Sequence, residues 1–116
     1  MDLYAIYLVS DSIGETADVV IRSALYQFET ENYQLKKYSY VQTTEEIDDI
    51  CAKASEEGKA MIFYTFVKKE IADHMKGQIE KSGLIGVDIY SPILTGLGQL
   101  FQLPAKEKPG INRQLN

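Results

Sequence analysis

The sequence contains no tryptophan, one cysteine, one histidine and three prolines, and its Lys and Arg (12) are outnumbered by Asp and Glu (17). A single thiol, Cys51, excludes an internal disulfide framework and suits a reducing compartment. The net charge of -5 argues against a general binder of nucleic acid or acidic membranes, which needs clustered cations to displace counterions. It leaves a local basic site for a nucleotide phosphate open. No basic segment precedes an apolar one at the start, so no signal peptide is expected. The longest apolar run, Ala60 to Phe66 broken only by Thr65, falls far short of the ~20 residues that span a bilayer. A cytoplasmic location is the expectation. Also absent is a G-x-x-x-x-G-K-[ST] loop, the usual cradle for nucleotide phosphates.

What is present has the composition of an ordinary globular domain, 45% hydrophobic and 25% charged over 116 residues, which fits one core. Strand and helix patterns alternate. Tyr4 to Val9 is an apolar run of the kind buried on both faces. Ala17, Val20, Ile21, Ala24, Leu25 and Phe28 then recur at helical spacing. Tyr33 to Val41, with Lys36 and Lys37, reads as a half-exposed edge strand whose lysines discourage wrong pairing.

Thr43 and Glu46 form a capping box for a second helix with Ile47, Ile50, Cys51 and Ala54 on its apolar face, stopping at Gly58. Met61 to Val67 is a central strand. Ile71, Ala72, Met75 and Ile79 mark a third helix ending near Gly83, a weaker strand follows at Val87 to Tyr90, and Pro92 leads into a helix bearing Leu94, Leu97, Leu100 and Phe101. This order predicts a three-layer α/β fold: a mostly parallel four-stranded sheet, order 2-1-3-4, with helices on both faces. The domain is expected over residues 1–103. Residues 104–116, with Pro104, Pro109 and Gly110, form a linker-like tail that completes no element, so the chain is expected to continue.

The most functional-looking segment is the turn Ser10-Asp11-Ser12-Ile13-Gly14-Glu15-Thr16. In open α/β sheets ligands collect at the carboxyl ends of strands, where helix N-termini point. Gly14 allows close backbone approach, and Ser10, Ser12 and Thr16 add hydroxyls. A purely structural reading is equally open: Ser12 to Glu15 is itself a capping-box pattern, which needs no ligand. Asp11 and Glu15 would repel a phosphate unless Mg²⁺ or a basic residue from elsewhere intervened. Asp11 has its own alternatives, an open carboxylate at the crevice mouth or an Asx-type turn. Tyr64 and Thr65 end the third strand near the same crevice. Elsewhere, His74 reads as a helix boundary residue, Cys51 as core, and Glu45, Glu46, Asp48 and Asp49 as first-turn acids that suit the helix dipole.

The segment Ile6 to Ala17 resembles the opening signature of the pyruvate, phosphate dikinase regulatory proteins. Tyr40-Val41-Gln42-Thr43, Phe63-Tyr64-Thr65-Phe66-Val67 and Lys108-Pro109-Gly110-Ile111-Asn112 are similar to later segments of that family, in order. The resemblance implies a bifunctional regulator, a serine/threonine-protein kinase and phosphorylase. It uses ADP to phosphorylate a threonine of pyruvate, phosphate dikinase, and inorganic phosphate to remove that group with release of pyrophosphate. Close relatives act on phosphoenolpyruvate synthase. It also implies that the P-loop lies in a C-terminal domain beyond the link, so this chain corresponds to the N-terminal domain and is expected to be inactive alone. Ser10, Asp11, Ser12, Gly14, Glu15 and Thr16 match the signature and, with Thr65, are the ligand-binding candidates, without a catalytic role. Ile13 departs from it, standing where the family usually has Thr.

Two other readings remain. The turn loosely echoes a flavodoxin phosphate loop, although the glycine falls one place late and no tryptophan can stack on the flavin ring. The chain could otherwise be a plain interaction domain.

Overall fold

The computed structural model describes residues 3–111, so only 112–116 of the expected tail, Asn112 among them, lie outside the described residues. Strands and helices alternate: β1 (Tyr4–Ser10), α1 (Glu15–Leu25), β2 (Tyr33–Tyr38), α2 (Thr44–Glu57), β3 (Ala60–Thr65), α3 (Lys69–Ser82), β4 (Ile85–Asp88) and α4 (Tyr90–Phe101). The strands form one parallel sheet in the order β2-β1-β3-β4, as the sequence pattern predicts. β1 is flanked on both sides and buried from Ala5 to Ser10, which accounts for its unbroken apolar run. β2 is an edge strand, in keeping with its lysines.

The alternation of side chains along β1 divides the core in two. Tyr7 and Val9, with Ile62 and Tyr64 of β3, pack beneath Ile47, Ile50 and Ala54 of α2 and Met75 of α3. Ile6 and Leu8 face the other way, onto Ile21 and Leu25 of α1. Helices therefore cover both faces, unequally. α2 and α3 seal the first face and α1 covers the second, where its buried stripe is narrower than the spacing suggests. Ala17 and Ile21 are buried, whereas Val20 and Ala24 are exposed and Phe28 lies past the helix end.

Local signals explain most boundaries. Thr43 caps α2 as expected: its hydroxyl accepts from the Glu46 amide, and the Glu46 carboxylate accepts from the Thr43 amide. Gly83 closes α3 in the left-handed region at φ 68°, which glycine tolerates without strain. β2 stops earlier than predicted because Tyr40 adopts φ 58°, a conformation incompatible with an extended strand. β4 lies two residues earlier than predicted, and Asp88 accepts from the Ser91 amide at 2.9 Å to start α4. Pro92 falls in the first turn of α4, where its lost amide is harmless.

Candidate functional site

Strand order reverses at β1: α1 leads to β2 on one side, and α2 crosses back to β3 on the other. The crevice at the carboxyl ends of β1 and β3 is thus the topological switch point, where open α/β sheets take their ligands. Ser10 and Thr65 are register partners at this end, both 2% exposed, and form its floor. Tyr64 instead points into the α2–α3 core, where burial and the nearby Asp88 carboxylate push its phenol up to about 12.

The turn leaving β1 is pinned by the chain after β2. The Ser12 amide donates to Ser10 Oγ at 3.1 Å. Ser10 and Ser12 carbonyls accept from the Val41 and Tyr40 amides, both at 2.9 Å, and Ser39 Oγ donates to the Ile13 carbonyl at 2.8 Å. With both backbone groups of Ser12 engaged, the capping box expected from Ser12 to Glu15 does not form. Gly14 takes the N-cap position at φ 88°, with no side chain capping the helix, and Glu15 becomes its first residue. Among the described residues, no side chain caps this start of α1. Glu15 and Thr16 are exposed, Ser12 half-buried and Gly14 buried.

Asp11 faces inward. It is 5% exposed, and its Oδ2 accepts from the Val67 amide at 2.9 Å, joining the turn to the segment leaving β3. Burial raises its carboxyl above the ordinary range, against the Val67 and Asp11 amides and the Lys68 charge, which lower it. The bond spans two strand ends and so differs from a local Asx turn. With Asp11 so engaged, Glu15 is the exposed carboxylate of the turn. A Mg²⁺ ion would therefore be held by one protein carboxylate together with the oxygens of a ligand.

Lys37 is a basic residue that lies beside the turn. Period-two alternation puts it on the α1 side of the sheet with Tyr33 and Leu35, at the carboxyl end of β2. Its Cε lies 3.9 Å from the point a Cβ on Gly14 would occupy. Lys36 points the other way and pairs with Glu57 at 2.7 Å. Both lysines suit an edge strand, and strand parity is the signal that separates them.

The segment after α4 returns across this end of the sheet. Glu107 accepts from the Lys69 amide at 2.8 Å at the start of α3, and a Cβ on Gly110 would lie 3.9 Å from Ser12 Cβ. His74 of α3 and Cys51 of α2 stand apart from the crevice. His74 and Gln78 both approach Asp48 Oδ1 at 2.7 Å on the α2–α3 surface. Cys51 is buried against Met75, and burial pushes its thiol up to about 11, away from nucleophilic chemistry. Among the described residues, no helix is long and apolar enough to cross a membrane.

The sequence profile of the kinase/pyrophosphorylase family matches residues 6–116. The chain is 34% identical over 111 residues to the "Putative pyruvate, phosphate dikinase regulatory protein" of Alkaliphilus metalliredigens (strain QYMF), covering 96% of this chain and 40% of the relative. Proteins of the same name from Halothermothrix orenii (strain H 168) and Geobacillus kaustophilus (strain HTA426) are 35% and 32% identical over 96% and 100% of this chain. The chain spans 41% and 43% of their lengths, about two fifths of each relative it matches.

Proposed function

The chain belongs to the kinase/pyrophosphorylase family, and from that premise we propose that it is the N-terminal domain of a regulator of pyruvate, phosphate dikinase or of phosphoenolpyruvate synthase. In the complete protein one phosphoryl group moves from ADP to a threonine hydroxyl of the target, leaving AMP. In the reverse regulation inorganic phosphate takes that group from the phosphothreonine, giving pyrophosphate and the free hydroxyl. Phosphoryl transfer depends on positioned amides and cations around the phosphates. Those of the transfer site belong to the P-loop domain, and this chain alone does not catalyse either reaction.

The part played by this domain is to hold a phosphate-bearing group at the turn 10–16. The observation carrying this reading is the start of α1: a left-handed Gly14, amides with no side-chain cap, and Lys37 beside them at the switch point. Ser12 and Thr16 hydroxyls would add donors. Lys37 offsets the repulsion that Asp11 and Glu15 would otherwise impose. Ile13, 51% exposed where the family usually has Thr, removes one hydroxyl from the rim without touching the amides.

The test is a joined polypeptide in which this chain replaces the matched stretch of the Alkaliphilus metalliredigens relative. It should phosphorylate the dikinase threonine with ADP and reverse this with phosphate. Lys37→Ala and Thr16→Ala should lower both reactions by at least about tenfold, or ~1.4 kcal/mol of transition-state stabilisation. Full activity in both variants would remove the turn from the mechanism.

A further inference from the structure

α4 meets β3 but packs only loosely on the rest of the domain. Its twelve residues include no charged side chain, and none of them is buried. Ile93 is 54% exposed, Leu97 43%, Leu100 73% and Phe101 62%. A helix so apolar is normally inside a protein, and one exposed to water normally carries a charged face. α4 directs its small and polar residues, Ser91, Thr95 and Gln99, toward a cavity shared with Lys76 and Glu80 of α3. Its aliphatic side is left outward. The chain then doubles back: the Leu103 amide donates to the Gly98 carbonyl at 3.2 Å, and the returning segment leaves a groove of about 380 Å³ lined by Leu97, Phe101, Leu103 and Ile111.

We propose that this face of α4, with the groove beside it, is the surface on which the remaining part of the family's polypeptide packs, through an aliphatic helix or strand edge. The inference rests on reading the chain as the N-terminal domain. Two observations select this occupant. The relatives carry more than half of their length outside the stretch matched here. Ile111, close to the end of the matched stretch, lines the groove, so the sequence that follows it reaches the face at high effective concentration. α4 itself carries no charge, while Lys106, Glu107 and Lys108 of the returning segment also line the groove, the pattern of an apolar interface centre with a polar rim.

Hydrogen exchange tests this in the same joined polypeptide. Relative to this chain alone, the α4 amides should exchange at least about tenfold more slowly once the remaining length is attached. Ile93→Glu with Leu100→Glu should cancel that protection. Because both residues are exposed, the double variant should leave the urea midpoint of the isolated chain unchanged, which separates lost docking from lost folding. Unchanged exchange on joining would overturn the proposal. So would a dimer of the isolated chain, seen by sedimentation and abolished by the double variant, since the face would then belong to a second copy. Protection of α4 without phosphotransfer would uphold the docking and count against the functional reading alone.

Discussion

Replacing Asp11 separates the structural work of the turn from its charge. Asp11 is buried, and its carboxylate supplies the acceptor for the Val67 amide. Asp11→Ala removes that acceptor. A stranded donor costs ~1–3 kcal/mol, and Val67 is half-buried, so water recovers part of the loss and about 1–2 kcal/mol is expected. In a domain of this size each kcal/mol lowers Tm by roughly 4–8 °C. Asp11→Asn keeps an acceptor oxygen and removes the charge. Burial raises this carboxyl above its ordinary 3.8, so the native state holds the proton more tightly than the unfolded chain. Stability from this group therefore falls as pH rises from 3.8 through the raised value, and the ionised form is a burden at neutral pH. Asp11→Asn should match or exceed the wild type at pH 7, and its advantage should shrink in acid. Urea unfolding of the three proteins at pH 7 and pH 4 measures both effects. An Asn variant as unstable as the Ala variant at pH 7 would refute the reasoning.

Gly14→Ala should cost about 1–2 kcal/mol through its left-handed backbone alone, because the new methyl meets nothing closer than 3.6 Å; thermal melting reads this. Thr43→Ala breaks the α2 capping box and should destabilise by about 1 kcal/mol in urea. Glu57 is held below the ordinary carboxylate range by its bonds from Lys36 and Tyr7, so its contribution is present at neutral pH and fades as pH falls through the lowered value. Glu57→Gln should flatten that part of the acid-unfolding profile. Cys51 should resist alkylation in the native state at pH 8 and react on unfolding, as mass spectrometry would record.

The fold was legible because its signals are local. A buried first strand, the Thr43–Glu46 box and the glycines after α2 and α3 each act within a few residues, and their alternation allows few topologies. The start of α1 was not legible. Its capping box is correct as a pattern, but Ser39 to Val41 take the backbone of Ser10 to Ile13 into their own hydrogen bonds. No spacing within the turn reveals a competitor that arrives from the next strand. Lys37 was hidden for the same reason, since only the pairing of β2 with β1 brings it to Gly14. Periodicity also marked α4 as apolar without saying what it packs against.

The central claim is that the uncapped start of α1 receives a phosphate-bearing ligand. Titration of the isotope-labelled chain with ADP and inorganic phosphate, with and without Mg²⁺, reads this directly from its amide resonances. Saturable shifts at Gly14, Glu15 and Thr16, diminished in Lys37→Ala, are the predicted result. Shifts at the opposite end of the sheet around Leu25 to Tyr33, or none at all, would contradict it.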